Sequence, residues 1–180
     1  MGRLRTVVLA GVLVLVVTGC GALGRGGHKG SSSSAPKPAD VIDAMRDDVV
    51  AAVKEAMPGS PLDEPHYGRE NCKYSKWKDT DGSGMVVGSE SAGATGPTSD
   101  KRSESELVDA VVKSLTARGW TVRQGKFAAS DPRKEMAKQG IAGSAQLGAS
   151  RFTLKSGQTV PIVNVVMYSD CLPDPDRSKG

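Results

Sequence analysis

Acidic and hydroxyl side chains recur at short intervals between Asp79 and Glu90, in the sequence DTDGSGMVVGSE. Carboxylates stand at the first, third and twelfth positions of this segment, and Ser83 stands at the fifth. Calcium takes about six to eight oxygen ligands arranged around a sharp turn. The spacing could supply such a set, so Asp79, Asp81, Ser83 and Glu90 are candidate calcium ligands.

The segment resembles the calcium loop of EF-hand proteins, which carries Asp or Asn at the position of Ser83. In an EF-hand a helix follows the loop, whereas here the chain continues as SESAGATGPTS, which is too rich in Gly, Ser and Thr for a helix. The alternative is a β-hairpin with KYSKWK and MVVGSE as strands around the Asp81-Gly82 turn. The sequence favours the hairpin and leaves calcium binding as the alternative.

Few residues of this chain are candidates for catalysis. It has two histidines, and His28 lies in a Gly/Ser tract, which excludes a His-based triad or a site with several His ligands. His66 lies in PLDEPHYG, a predicted Pro-rich loop. The sequence contains no G-x-S-x-G, no H-E-x-x-H and no phosphate-binding glycine loop. We expect no catalytic residues, no metal and no cofactor, with an unrecognised envelope hydrolase as a further alternative.

The first nineteen residues have the order of a secretory signal peptide. Arg3 and Arg5 precede an almost wholly apolar run, TVVLAGVLVLVVT. As a helix this run is about 20 Å long, shorter than the ~30 Å hydrocarbon core of a bilayer. The pattern therefore predicts a signal peptide over residues 1–19 rather than a spanning anchor.

Val17-Thr18-Gly19-Cys20 ends this segment and resembles the bacterial lipobox, with Val in place of the commoner Leu. The resemblance covers the first twenty residues. It implies that a diacylglycerol is attached to the Cys20 sulfur, that a peptidase cuts before Cys20, and that palmitate-type acyl chains hold the protein at the outer face of the plasma membrane. Together with the Ala-, Gly- and Val-rich composition, this makes the chain similar to small actinobacterial lipoproteins.

The rest of the chain divides into a linker, one domain and a tail. Residues 20–38 are rich in Gly, Ser and Pro and contain no acidic residue, which predicts a flexible linker. Residues 39–175 carry the apolar patterns of one globular α+β domain, and residues 176–180 are predicted to be a disordered tail. A chain of 180 residues has room for one such domain.

The chain has three cysteines, one in the predicted linker and two in the predicted domain. If lipid occupies Cys20, Cys72 and Cys171 remain, and an oxidising compartment outside the cytoplasm favours a disulfide between them. Closing a loop of about 100 residues is worth ~4.7 kcal/mol on the chain-entropy model. A redox role is disfavoured because the chain has no C-x-x-C motif.

Two amphipathic segments predict helices. Between Asp40 and Met57 apolar residues recur at helical spacing, and Pro58-Gly59 ends the pattern. Between Ser103 and Arg118 a second apolar stripe follows a capping box formed by Ser103 and Glu106, and Gly119 is placed to end the helix.

Alternating and continuous apolar runs predict an antiparallel sheet. Thr159–Ser169 is apolar on both faces apart from Asn164, so it is expected to be central. The Ser156-Gly157 turn joins it to the preceding strand. The expected fold is α+β: a small antiparallel sheet with two main helices on one face and one disulfide, with Cys72 before the first strand. The other predicted elements are strands over Trp120–Phe127 and Arg151–Lys155 and a short helix over Ser130–Gly140.

The charge distribution argues against nucleic-acid binding. Residues 39–175 carry 17 basic and 19 acidic residues, and aromatic residues make up 4% of the chain. The basic residues of the domain, which fall in two groups along the sequence, are expected either to form a solvated surface or to bind an anionic envelope polymer. The expected function is non-catalytic binding at the cell envelope, with the membrane and an envelope protein or polymer as partners. The basic groups are Lys73, Lys76 and Lys78, and Arg123, Lys126, Arg133, Lys134 and Lys138.

Overall fold

Within the described residues, a seven-stranded antiparallel sheet and two helices make up the fold. The computed structural model describes residues 35–72, 85–124, 127–128 and 130–173. The strand order is β1-β2-β6-β5-β4-β3, and β7 pairs with the start of β2. The predicted α+β class with an antiparallel sheet is confirmed. In chain order the elements are α1 (Pro38–Ala56), β1 (His66–Asn71), β2 (Met85–Thr95), α2 (Glu104–Ala117), β3 (Trp120–Arg123), β4 (Lys134–Lys138), β5 (Gly143–Thr153), β6 (Thr159–Ser169) and β7 (Leu172–Pro173).

Helix α1 begins two residues before its predicted start, at Pro38. Proline suits the first position of a helix because the N–H that it lacks would have no helical partner there. The Asp40 carboxylate accepts a hydrogen bond from the Lys37 backbone N at 3.3 Å. The predicted apolar stripe is fully buried and includes Ile42, Met45, Val49 and Val53.

Helix α2 has the predicted capping box. The Ser103 hydroxyl accepts from the Glu106 backbone N at 3.3 Å, and the Glu106 carboxylate accepts from the Ser103 backbone N at 2.7 Å. The helix ends before Gly119, whose φ is +84°. A residue with a Cβ is strained in that left-handed conformation, which explains the glycine.

Strand β6 has its predicted bounds and lies inside the sheet, between β2 and β5. Its side chains Val163, Val165 and Met167 are buried in the core between the sheet and the helices. Helix α1 packs on β2 and β6, while α2 packs on β5 and β3. The core is completed mainly by Leu107, Val111 and Leu115 of α2, Trp120 of β3, Met136 of β4 and Leu147 of β5.

The short helix predicted from Ser130 to Gly140 is wrong, because this part of the chain contains β4. The Asp131 carboxylate accepts a hydrogen bond from the Arg133 backbone N at 2.8 Å, which forms a turn before the strand. Strand β4 then pairs with β3 and β5, and Met136 is fully buried. Hydrogen bonds to two neighbouring strands therefore outweigh the local helical preference.

Two further strands differ from their predictions. Strand β1 lies where a Pro-rich loop was expected around His66, and β5 extends from Gly143 through most of the predicted RFTLK strand. The predicted strand MVVGSE is the first half of β2 and pairs with β1, whereas KYSKWK lies outside the described residues. Cys72 consequently follows the first strand and does not precede it.

Candidate functional site

The predicted disulfide joins Cys72 and Cys171, with the two sulfurs 2.09 Å apart and the Cα atoms 6.1 Å apart. Cys72 follows β1, and Cys171 lies between β6 and β7. Because β2 lies between β1 and β6 in the sheet, the disulfide connects segments from either side of β2. Cys20, the predicted lipidation site, lies outside the described residues.

The candidate calcium ligand Glu90 lies in β2, on the face of the sheet that α1 covers. Its side chain is 4% exposed, and its two oxygens accept hydrogen bonds from Nε and Nη2 of Arg46, each at 2.6 Å. The hydrogen bond to Glu90 raises the pKa of Arg46 above its usual value. Asp79, Asp81 and Ser83 lie outside the described residues, so calcium binding stays a prediction.

The face of the sheet opposite the two helices carries a mixture of apolar and small polar side chains. Val166 of β6 pairs with Ser91 on one side and with Gln146 on the other. All three are partly exposed, and Phe152, towards the end of β5, is 56% exposed. Within the described part of the chain, this face therefore offers both apolar and polar side chains that a partner could contact.

The segment between α1 and β1 covers part of this face. The Asp63 backbone N donates to the Gly93 carbonyl at 2.9 Å. A Cβ at Gly93 would lie 2.6 Å from the Asp63 carboxylate, so glycine lets this segment lie close to the strand without a shift of that side chain. Asp63 and Asn164 thus lie side by side above β2 and β6.

A cleft of about 260 Å³, here called the β3–β4 cleft, lies where the connection from β3 to β4 turns back on the sheet. Its cationic side chains come from both strands and from the connection. Glu135 of β4 is 7% exposed, and Arg123 of β3 is one of its partners, with Nη1 at 3.4 Å from the carboxylate. The described residues lining the cleft are Val122, Arg123, Gln124, Phe127, Ala128, Arg133, Lys134 and Glu135.

Arg133 is held in place at the cleft by two neighbours. Its Nε and Nη2 atoms donate to the Asp131 carboxylate at 2.6–3.0 Å, and its guanidinium lies 4.8 Å from the centroid of the Phe127 ring. These hydrogen bonds hold the pKa of Asp131 below its usual range and raise the pKa of Arg133. The guanidinium therefore has a defined orientation although its side chain is 61% exposed.

The structure brings together only part of the basic group noted in the sequence. Arg123, Arg133 and Lys134 meet at the β3–β4 cleft, whereas Lys138 binds Asp48 of α1 at 2.8 Å. Lys126 and the group Lys73, Lys76 and Lys78 lie outside the described residues. Sequence reasoning missed the contributions of Phe127 and Glu135, because both depend on β4 being a strand.

Neither a metal site nor a membrane span can be assigned to the described residues. No group of three or more His, Cys, Asp or Glu side chains is placed there to hold a metal ion. In the part of the chain that the structure describes, no helix is long and apolar enough to cross a bilayer. His66 lies in β1 and is exposed.

Comparison with known proteins gives no relative of this chain. No family model, no curated protein and no solved structure matches it.

Proposed function

We propose that this protein is an exported lipoprotein, anchored by lipid on Cys20 to the outer face of the plasma membrane. One observation carries the proposal: two of the three cysteines form the Cys72–Cys171 disulfide, and the third is the cysteine of the lipobox-like sequence. Structural disulfides persist in oxidising compartments and are rare in the cytosol. The disulfide thus supports export, and the lipobox-like sequence supplies the anchor.

For the domain itself we propose a non-catalytic binding role at the cell envelope. The partly exposed face of the sheet opposite the helices and the β3–β4 cleft at its border support this role. The cleft combines oriented guanidinium groups with apolar side chains, a combination typical of recognition sites. An envelope protein or an envelope polymer is the proposed partner class.

Metabolic labelling with an alkyne fatty acid in an actinobacterial host tests the anchor. The wild-type chain is expected to incorporate the label and to fractionate with membranes. Cys20→Ser is expected to lose the label and to accumulate as the unprocessed precursor, because the serine hydroxyl cannot replace the thiol that receives the lipid. Thr18→Ala is the matched control, since it keeps a small residue in the lipobox-like sequence and is expected to label normally. Equal labelling of Cys20→Ser and the wild type would refute the anchor.

A further inference from the structure

Among the described residues that line the β3–β4 cleft, the more exposed charges are positive. Arg123 is 46% exposed and Arg133 is 61% exposed, whereas the Glu135 carboxylate in the same cleft is 7% exposed. Lys134 adds a third cation to the lining. A ligand that enters from solvent therefore meets the guanidinium groups before it meets the carboxylate, which favours an anion.

Hydrogen-bond donors remain available on both guanidinium groups. Asp131 uses Nε and Nη2 of Arg133, and within the described residues Nη1 makes no hydrogen bond. Arg123 uses Nη1 for its 3.4 Å contact with Glu135, and its Nε and Nη2 make no hydrogen bond in that same part of the chain. Because Asp131 and Phe127 already hold Arg133 in one orientation, binding an anion costs less side-chain entropy there than at an unrestrained arginine.

The rest of the lining suits a carbon skeleton of limited size. Val122 is 44% exposed, and Phe127 and Ala128 also line the cleft. A volume of about 260 Å³ lies just below the range of roughly 300–1,000 Å³ that is usual for small-molecule pockets. The cleft therefore fits a single unit of a larger chain, such as one sugar or polyol residue with its anionic substituent.

We propose that the β3–β4 cleft binds the phosphate or carboxylate groups of an anionic envelope polymer, one unit at a time. The inference rests on the proposed function, which places the domain among such polymers. Partly exposed ion pairs are individually weak. Repeated anionic units near a tethered domain raise the effective concentration, which favours a polymer over a free anion.

Binding to defined polymers tests the inference. The full-length chain is placed in nanodiscs of phosphatidylcholine, and its binding to poly(glycerol phosphate), to polyglucuronate and to neutral dextran is measured by biolayer interferometry. At least one polyanion is expected to bind at low salt and to weaken as salt is added, while dextran is expected not to bind. The polyanion that binds more tightly identifies phosphate or carboxylate as the preferred group.

Two double variants with the same change in charge distinguish binding at the cleft from general electrostatic attraction between the protein and the polymer. Arg123→Gln/Arg133→Gln is expected to raise Kd by about tenfold, because two charge-assisted hydrogen-bond donors are lost. Lys54→Gln/Lys113→Gln removes two exposed lysines from the helices and is expected to change Kd by less than about twofold. Equal losses in the two double variants would overturn the inference, as would no binding of either polyanion at low salt.

A single variant distinguishes a loss of binding from a loss of the fold. Arg123→Gln leaves the contacts of Arg133 with Asp131 and Phe127 in place and keeps an amide that can donate to Glu135. With an unchanged melting temperature it is expected to raise Kd by about threefold, and an unchanged Kd would contradict the inference.

Anionic lipid is the competing source of phosphate. If phosphatidylglycerol vesicles bind the cleft while neither polymer does, the polymer inference is wrong and the ligand is a lipid headgroup. Fatty-acid labelling of Cys20 is measured in a separate experiment. A failure of polymer binding therefore does not contradict the proposed anchor, and a loss of labelling does not contradict polymer binding.

Discussion

At the scale of single residues, the ion pair between Arg46 and Glu90 is the clearest electrostatic link between α1 and the sheet. Glu90 is nearly fully buried, and a buried carboxylate is unfavourable unless its oxygens are satisfied. The guanidinium satisfies both oxygens in a bidentate arrangement. Asp43, which is 59% exposed, forms a second ion pair with Arg46 on the solvent side.

Replacing Glu90 by Gln is expected to lower the free energy of unfolding by about 1–3 kcal/mol. Removing one partner of a buried ion pair costs about 3–5 kcal/mol, and the 38% exposure of Arg46 lets water screen part of that loss. Asp43→Asn changes the exposed partner of the same guanidinium and is expected to cost less than about 0.5 kcal/mol. Urea unfolding measures both variants, and equal losses would show that burial does not determine the strength of this pair.

At the scale of elements, Asp48 connects α1 to the strands at one edge of the sheet. Its carboxylate accepts from Trp120 Nε1 of β3 at 2.9 Å and from Lys138 Nζ of β4 at 2.8 Å. Burial acts to raise the pKa of Asp48, but the hydrogen bonds from Lys138 and Trp120 and the nearby positive charges outweigh it, so the pKa lies below its usual value. The charged form therefore stabilises the packing of α1 on these strands.

This connection predicts a pH-dependent effect of Asp48→Asn. Because folding lowers the pKa of Asp48, its stabilising contribution is fully present above the unfolded-state pKa of about 3.9 and is lost as the pH falls through the folded-state pKa. At pH 7 the variant is expected to be about 1–2 kcal/mol less stable than the wild type, because Lys138 loses its charged partner.

The difference in unfolding free energy is expected to shrink steadily between about pH 5 and pH 3. Asp47→Asn, at the exposed neighbouring position of α1, is the control and is expected to show no such change. Urea unfolding across this pH range provides the measurement. A difference between Asp48→Asn and the wild type that stays constant with pH would contradict the assignment.

At the scale of the whole molecule, the Cys72–Cys171 disulfide constrains the unfolded chain. The two cysteines are 99 residues apart, and the enclosed segment contains β2 to β6 and α2. A covalent link of this length removes many conformations from the unfolded state and few from the folded state. The disulfide is therefore expected to contribute to the stability of the whole domain.

Reducing the disulfide is expected to lower the free energy of unfolding by about 2–5 kcal/mol. The test uses Cys20→Ser, in which the remaining cysteines are Cys72 and Cys171. Denatured and unreduced, this variant is expected to contain no free thiol, and dithiothreitol is expected to lower its unfolding midpoint. The triple variant Cys20→Ser/Cys72→Ser/Cys171→Ser is expected to show the lower unfolding midpoint without any reductant. If exported, unreduced Cys20→Ser contains two free thiols, the exported protein lacks the disulfide and the prediction is wrong.

The sequence by itself determined the elements whose signals are local. The apolar stripe and the Ser103–Glu106 capping box define α2, because a helix satisfies most of its hydrogen bonds within one segment. Strand β6 was recognisable because its residues are apolar on both faces, as expected of a central strand. The disulfide partners followed from cysteine counting once Cys20 was set aside.

Only the tertiary structure decided where β1, β4 and β5 lie. Their residues are small, polar or charged along much of their length, so their strand conformation depends on hydrogen bonds to neighbouring strands. The β3–β4 cleft depends on the same pairing, since β4 places Glu135 beside Arg123 of β3. A helix between Ser130 and Gly140 would have followed local preference. The sheet instead provided partners on both sides of β4, which no local pattern in the sequence could reveal.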